Sequence, residues 1–142
     1  MYKSMRDVKL GEFFKRGTIT MKGTYCIING YLPIECAIGF EENKFNILRL
    51  EDGTIHQIDE IEKVDVVSNE MTFLPVRNNM LDLFKVDGGT IYLDQNTSEC
   101  MVKLANLNNF NRFAFSFASS TIQEVLQNTV GLKLKYQSVE GW

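Results

Sequence analysis

The chain holds one histidine, one tryptophan, two prolines and three cysteines among 142 residues. Each scarcity excludes something. With His56 alone, no H-E-x-x-H metal helix can be built, and no G-x-S-x-G nucleophile elbow occurs. A lone strand histidine is read as a half-exposed packing residue. Cys26, Cys36 and Cys100 are odd in number and contain no C-x-x-C pair. This argues against a disulfide framework and against a zinc site, and predicts reduced thiols in a cytosolic protein. No apolar run approaches the roughly 18 residues that a membrane helix needs. Lys3, Arg6, Asp7 and Lys9 interrupt the opening residues, so no signal peptide is expected. Asp87, Gly88, Gly89 and Thr90 lack the G-x-x-x-x-G-K-[ST] spacing of a phosphate loop. Glu41 and Glu42 read as solvated loop charge rather than an acid–base pair. The chain is therefore expected to be a binding protein, not an enzyme, with no metal and no cofactor.

Hydrophobic residues make up 44% and charged residues 23%. These values suit a folded, soluble chain with one domain, or two small lobes sharing a core. The net charge of -3 is uneven. Residues 1–22 carry +4, whereas residues 41–70 carry −6. Such a split can steer a charged partner toward one end, and the acidic balance weighs against general duplex DNA binding.

The patterning is mainly β, of an α+β kind. Val8, Leu10, Phe13 and Phe14 approximate one apolar stripe, which predicts a short opening helix over residues 8–16 after an Asp7 cap. Residues 18–21 and 24–28 read as strands, with Asn29 and Gly30 forming a hairpin turn. Strands are expected over 34–40 and 45–50, with a turn at Asp52 and Gly53. Ile55, Ile58, Ile61 and Val64 fit either a strand or a helix spacing. Residues 68–70 look like a hinge. Residues 1–68 thus form an opening helix plus a small barrel-like lobe, and residues 69–142 a second set of antiparallel strands. In that second part Pro75 pushes its strand toward a sheet edge. Phe113, Phe115 and Phe117 fall on one face at period two. Ser120, Gln123 and the Ile122, Val125, Leu126, Val130 set predict a helix over 120–130 that stops at Gly131. Residues 132–136 alternate as a last strand. Residues 50–55 and 86–91 echo one another as hairpin tips.

Asn106, Asn108, Asn109 and Asn111 lie among Phe110, Arg112 and Phe113. Amides beside rings and a guanidinium can hydrogen-bond and stack on a nucleobase, so Asn109, Phe110 and Arg112 are candidate ligand-binding residues. Gly39, Phe40 and Glu41, followed after three residues by Phe45 and Asn46, carry a resemblance. Residues 7–68 resemble the Sm-like RNA-binding family, a small SH3-like barrel whose third strand bears a Phe-Asp, apolar, Asn pattern. The resemblance implies that Phe45 stacks on a base, that Asn46 reads its edge, and that the protein is a homo-oligomer. Here one extra residue precedes Phe45, and Lys63, Val64 and Asp65 stand where the family has an Arg/Lys-Gly pair.

Two functional classes follow. The first is a non-catalytic module for RNA or a nucleotide. The second is an intracellular inhibitor, of the immunity or anti-defence type, that blocks a partner protein through an acidic face including Glu60, Glu62 and Asp65. The Asn-, Ile- and Lys-bearing composition suits an AT-rich bacterial or phage genome.

Overall fold

The computed structural model describes residues 2–16, 34–67, 71–105 and 112–138. The predicted strands at 18–21 and 24–28, the Asn29–Gly30 turn, the hinge at 68–70 and the 106–111 segment lie outside the described residues. The chain divides into two units. One comprises Met1–Leu50 and Ile55–Asn69, the other Glu51–Thr54 and Glu70–Trp142. Both are antiparallel β. No described helix is long and apolar enough to cross a membrane.

The first unit contains β1 (Tyr2–Ser4), β2 (Phe13–Arg16), β3 (Glu35–Glu41), β4 (Lys44–Arg49), β5 (Ile55–Asp59) and β6 (Lys63–Val66). They form one sheet in the order β1-β6-β2-β3-β4-β5. Strands β2 to β5 are a meander, and β6 returns to pair with β2. The sheet is open, so the predicted small barrel is not closed among the described strands. Its core joins Met5, Val8, Phe14, Ala37, Phe45, Ile47, Ile58 and Val64.

The opening helix over 8–16 is not formed. A single 3-10 turn occupies Met5–Asp7, and β2 begins at Phe13. Gly11 takes a φ of 87°, a conformation that ends a right-handed helix. Its N–H donates to the Ala37 carbonyl, and the Lys9 N–H donates to Glu12 Oε1. Phe13 and Phe14 are both buried because strand neighbours point to opposite faces. A helical stripe would have placed them side by side.

The second unit contains β7 (Met71–Asp82), β8 (Ile91–Asp94), β9 (Cys100–Lys103), β10 (Phe113–Ser116), β11 (Thr121–Glu124) and β12 (Val130–Ser138). Their order is β11-β10-β9-β8-β12-β7. Pro75 lies on β7, a terminal strand, where its missing N–H costs no ladder bond on the open side. Opposite Lys133 the strand β7 bulges, since Leu132 pairs with Met80 and Leu134 with Pro75. One face of the sheet packs Leu83, Tyr92, Met101, Ala114 and Val125. The other carries Ile91, Val102 and Phe115, all buried and adjacent across three strands. Phe113, on the same face as Phe115, is exposed, so the expected aromatic stripe is a core element only in part.

The helix over 120–130 is replaced by β11, a turn at residues 127–128 and the start of β12. Ser120 and Asn128 adopt φ of 55° and 64°, values that fit turns. Thr121 and Ile122 are β-branched and pair with Ser116 and Phe115. Of the apolar set, only Val125 is buried, whereas Ile122, Leu126 and Val130 are exposed. The Gln123 amide donates to the Thr121 and Ser119 hydroxyls instead of completing a capping box.

The two echoing tips meet within the second unit. The Ala105 N–H donates to the Gly53 carbonyl at 2.8 Å and the Gly89 N–H to the Lys103 carbonyl at 2.9 Å. Lys103, itself fully buried, donates its Nζ to the Leu83 and Phe84 carbonyls at 2.6 and 3.2 Å. Burial lowers the pKa of its ammonium, against the opposing pull of Asp82 and Asp87.

Candidate functional sites

In the first unit, antiparallel register brings three charged residues to the core face. Glu35 on β3 pairs with Phe14 on β2 and Arg49 on β4, and Arg16 lies two residues beyond Phe14. Arg16 clasps the Glu35 carboxylate with Nε at 2.7 Å and Nη2 at 3.2 Å. Arg49 Nε approaches the other oxygen at 3.6 Å. Glu35 is 1% exposed and Arg49 7%. Burial pushes the Glu35 carboxyl above its ordinary value, and the two guanidiniums pull it back. Both carboxylate oxygens are engaged, so the cluster acts as a clasp between β2, β3 and β4.

Phe45 and Asn46 are neighbours on β4 and therefore face opposite sides of the sheet. Phe45 is 7% exposed and belongs to the core, with the Phe40 ring 4.9 Å away. Asn46 stands between Gly39 and Gln57, and its Oδ1 accepts the Gln57 amide at 3.0 Å. The structure does not bring the pair together on one open surface. The ring open to solvent is Phe40, 55% exposed, which sequence reasoning did not single out as a binding residue.

Glu60, Glu62 and Asp65 are half-buried. The Glu60 and Glu62 carbonyls accept the Arg6 and Met5 N–H groups. Burial raises the Glu62 pKa, Arg16 lowers it, and Asp59 adds to the rise. Asp65 is in register with Lys15 and Tyr2. Over residues 41–67, the exposed carboxylates of this unit are instead Glu41, Glu42 and Asp59, the last accepting the Ile61 N–H at 3.0 Å. They share the end of the sheet where the Glu60 N–H donates to the Asn43 carbonyl.

In the second unit, Asn109 and Phe110 lie outside the described residues. Arg112 is exposed, with its guanidinium 5.8 Å from the Phe84 ring centroid. A groove opens elsewhere on this unit. Strand β8 begins at Ile91, opposite Leu134, while β12 runs on to Ser138 with β7 as its only strand neighbour among the described residues. The notch left beside β12 is a groove of ≈ 330 Å³ lined by Gly88, Gly89, Thr90, Lys133, Lys135 and Tyr136, with Glu51 at one side. Lys133 and Lys135 are exposed and two residues apart, hence on one side of the strand. Burial and Glu51 raise the Tyr136 phenol pKa. Gly88 is required by crowding, since a Cβ there would lie 2.6 Å from both Ala105 Cα and the Asp52 carbonyl. The alternation of residues 132–136 made β12 legible and the hairpin tip at 86–91 marked the start of β8, but nothing in the sequence reported that the two strands would pair and leave the end of β12 uncovered.

No family model, curated protein or solved structure matches the chain.

Proposed function

We propose that the protein is a non-catalytic binding module whose ligand is a nucleotide or a short stretch of single-stranded RNA. The observation that carries this reading is the groove beside β12, an open strand edge lined by two exposed lysines from one face of the sheet and by Tyr136 from the other. Phosphate oxygens accept hydrogen bonds from ammonium groups, and a base can stack on an aromatic ring without regard to its identity. The Thr90 hydroxyl and the Gly88–Gly89 backbone add small, close-approach polar surface. Glu51 limits the groove to a ligand of few charges. Arg112, with Asn109 and Phe110, is the second contact region in this reading. The Sm-like placement of one base on both Phe45 and Asn46 is disfavoured, because the two side chains face opposite sides of the sheet and Phe45 is in the core.

The test is the protein purified from cells, measured for native mass and for absorbance at 260 nm, followed by mass spectrometry of any released molecule. The reading expects an excess ultraviolet signal that disappears in the Lys133→Ala/Lys135→Ala variant. A protein without nucleotide that also fails to bind added mononucleotides or oligouridylate contradicts it.

A second reading, an intracellular inhibitor of a partner protein, is favoured by one specific observation. Phe40 and Ile61 are exposed, as are Glu41, Glu42 and Asp59 at the same end, with Asp59 Oδ1 accepting the Ile61 N–H at 3.0 Å. An aromatic anchor with an acidic rim complements a basic protein surface. Charge reversal at Glu41 and Glu42 should slow association at low salt, and an unchanged on-rate counts against it.

A further inference from the structure

Glu51 is the one carboxylate that lines the β12 groove, and it belongs to the same unit as the strand. It is exposed and forms no ion pair with a described residue. Burial and, after it, the Glu51 charge raise the Tyr136 phenol pKa, so the carboxylate stands within electrostatic reach of the ring's hydroxyl. Lys133 and Lys135 project from the opposite face of the sheet. The groove therefore has a cationic end and an end with a ring and a carboxylate, one on each side of the β12 edge.

The edge between them carries open main chain. The Val130 carbonyl accepts the Gln95 N–H, and the Thr129 carbonyl accepts the Leu83 N–H. Main-chain groups alternate sides along a strand, so the even-numbered residues of β12 turn theirs toward β8 and the odd-numbered ones toward β7. Pro75, which has no N–H, stands opposite Leu134 on the β7 side, as this alternation requires. Leu134 is the last residue of β12 to find β8 beside it, at Ile91. Tyr136, two residues on, points its N–H and C=O into the groove, where they pair with no described residue.

A carboxylate accepts hydrogen bonds and donates none. Guanine is the base whose Watson–Crick edge carries two adjacent donors, N1–H and the N2 amine, next to the O6 acceptor. Adenine and cytosine each offer one donor beside an acceptor, and uracil offers a single N3–H between two carbonyls. A carboxylate facing those edges meets a lone pair, whereas guanine answers both of its oxygens with charge-assisted bonds. The open strand edge supplies a donor for O6.

We propose that the β12 groove selects guanine, with Glu51 as the residue that reads its Watson–Crick edge. This rests on the nucleotide reading of the groove and adds the identity of the base.

The experiment titrates the full chain, isotope-labelled, with GMP, AMP, CMP, UMP and IMP, following the amide shifts of Gly88, Gly89, Lys135 and Tyr136. GMP is expected to bind about tenfold more tightly than AMP, CMP and UMP, with IMP, which lacks the N2 amine, in between. Glu51→Gln, at an exposed position, should bring GMP down to the level of the other bases. Lys133→Ala/Lys135→Ala should weaken all five nucleotides and keep their ranking. Equal binding of the five, a preference for another base, IMP binding as tightly as GMP, or a GMP preference that survives in Glu51→Gln each overturns the guanine inference while the nucleotide reading stands. The absence of a saturable shift with any of the five removes the nucleotide reading, and this inference with it.

Discussion

Replacing Gly53 with alanine should be among the costliest single-methyl additions in the chain. Gly53 holds a φ of 73°, where an L side chain costs roughly 1–2 kcal/mol. An added Cβ would lie 2.5 Å from the Lys103 carbonyl oxygen, 2.6 Å from the Gly89 nitrogen and 2.9 Å from the Ala105 nitrogen. All three are backbone atoms, so no flexible side chain can yield. Two of them form the Gly89–Lys103 hydrogen bond, and the third donates to Gly53 itself. Overpacking of this kind costs about 1–3 kcal/mol, and a weakened hydrogen bond adds about 1. The total is about 3–6 kcal/mol, which at a slope of about 2 kcal/mol per molar urea lowers the unfolding midpoint by about 1.5–3 M. Gly39→Ala is the control. Its Cβ would meet only the Asn46 side chain, at 3.6 Å, so its stability should stay within about 0.5 kcal/mol of the parent. Gly53→Asn separates the two causes, because asparagine tolerates positive φ but still carries a Cβ. It should remain nearly as unstable as the alanine variant. A Gly53→Ala protein with parental stability would refute the packing of Glu51–Thr54 within the second unit.

Glu35→Ala removes the carboxylate that faces both Arg16 and the buried Arg49, and should destabilise by about 3–5 kcal/mol in urea unfolding. Burial raises the Glu62 pKa above its ordinary 4.5, so the folded protein binds this proton more tightly than the unfolded chain. Its contribution to stability is complete below pH 4.5 and is lost as pH rises through the raised value, so Glu62→Gln should gain stability relative to the parent over that window. Burial pushes the Cys36 and Cys100 thiols up to about 12. Both should therefore resist iodoacetamide at neutral pH in the folded protein and react rapidly in urea, as read by peptide mass spectrometry. If RNA is the ligand and Lys133 and Lys135 each meet one phosphate, the logarithm of its affinity should fall with the logarithm of salt with a slope of about −1.4.

The β character was legible because alternation and β-branched residues dominate, and Pro75 marked an edge strand for a local steric reason. Both predicted helices failed for reasons the local pattern did not weigh. Phe13 and Phe14 are compatible with a helix stripe, yet a strand buried on both faces uses adjacent aromatics equally well. Ile122, Val125, Leu126 and Val130 have helical spacing, but hairpin pairing of β11 with β10 across a four-residue turn overrode it. Period-two geometry already implies that Phe45 and Asn46 face opposite sides once β4 is accepted as a strand. The acidic stretch over 41–70 was visible as composition. Which of its carboxylates are exposed, Glu41, Glu42, Glu51 and Asp59 rather than Glu60, Glu62 and Asp65, depends on how the strands and turns around them pack. The groove beside β12 arises from the register in which β8 pairs with it, which is set by sheet assembly rather than by any local signal.

The central claim is the nucleotide site on β12, and the most direct measurement is a titration of isotope-labelled protein with nucleoside 5′-monophosphates and oligouridylate, followed by amide shifts. The account predicts saturable shifts at Gly88, Gly89, Thr90, Lys133, Lys135 and Tyr136, with binding about tenfold weaker in the Lys133→Ala/Lys135→Ala variant, a change of about 1.4 kcal/mol. Shifts centred on Phe40, Phe45 and Asn46, or none that saturate, would contradict it.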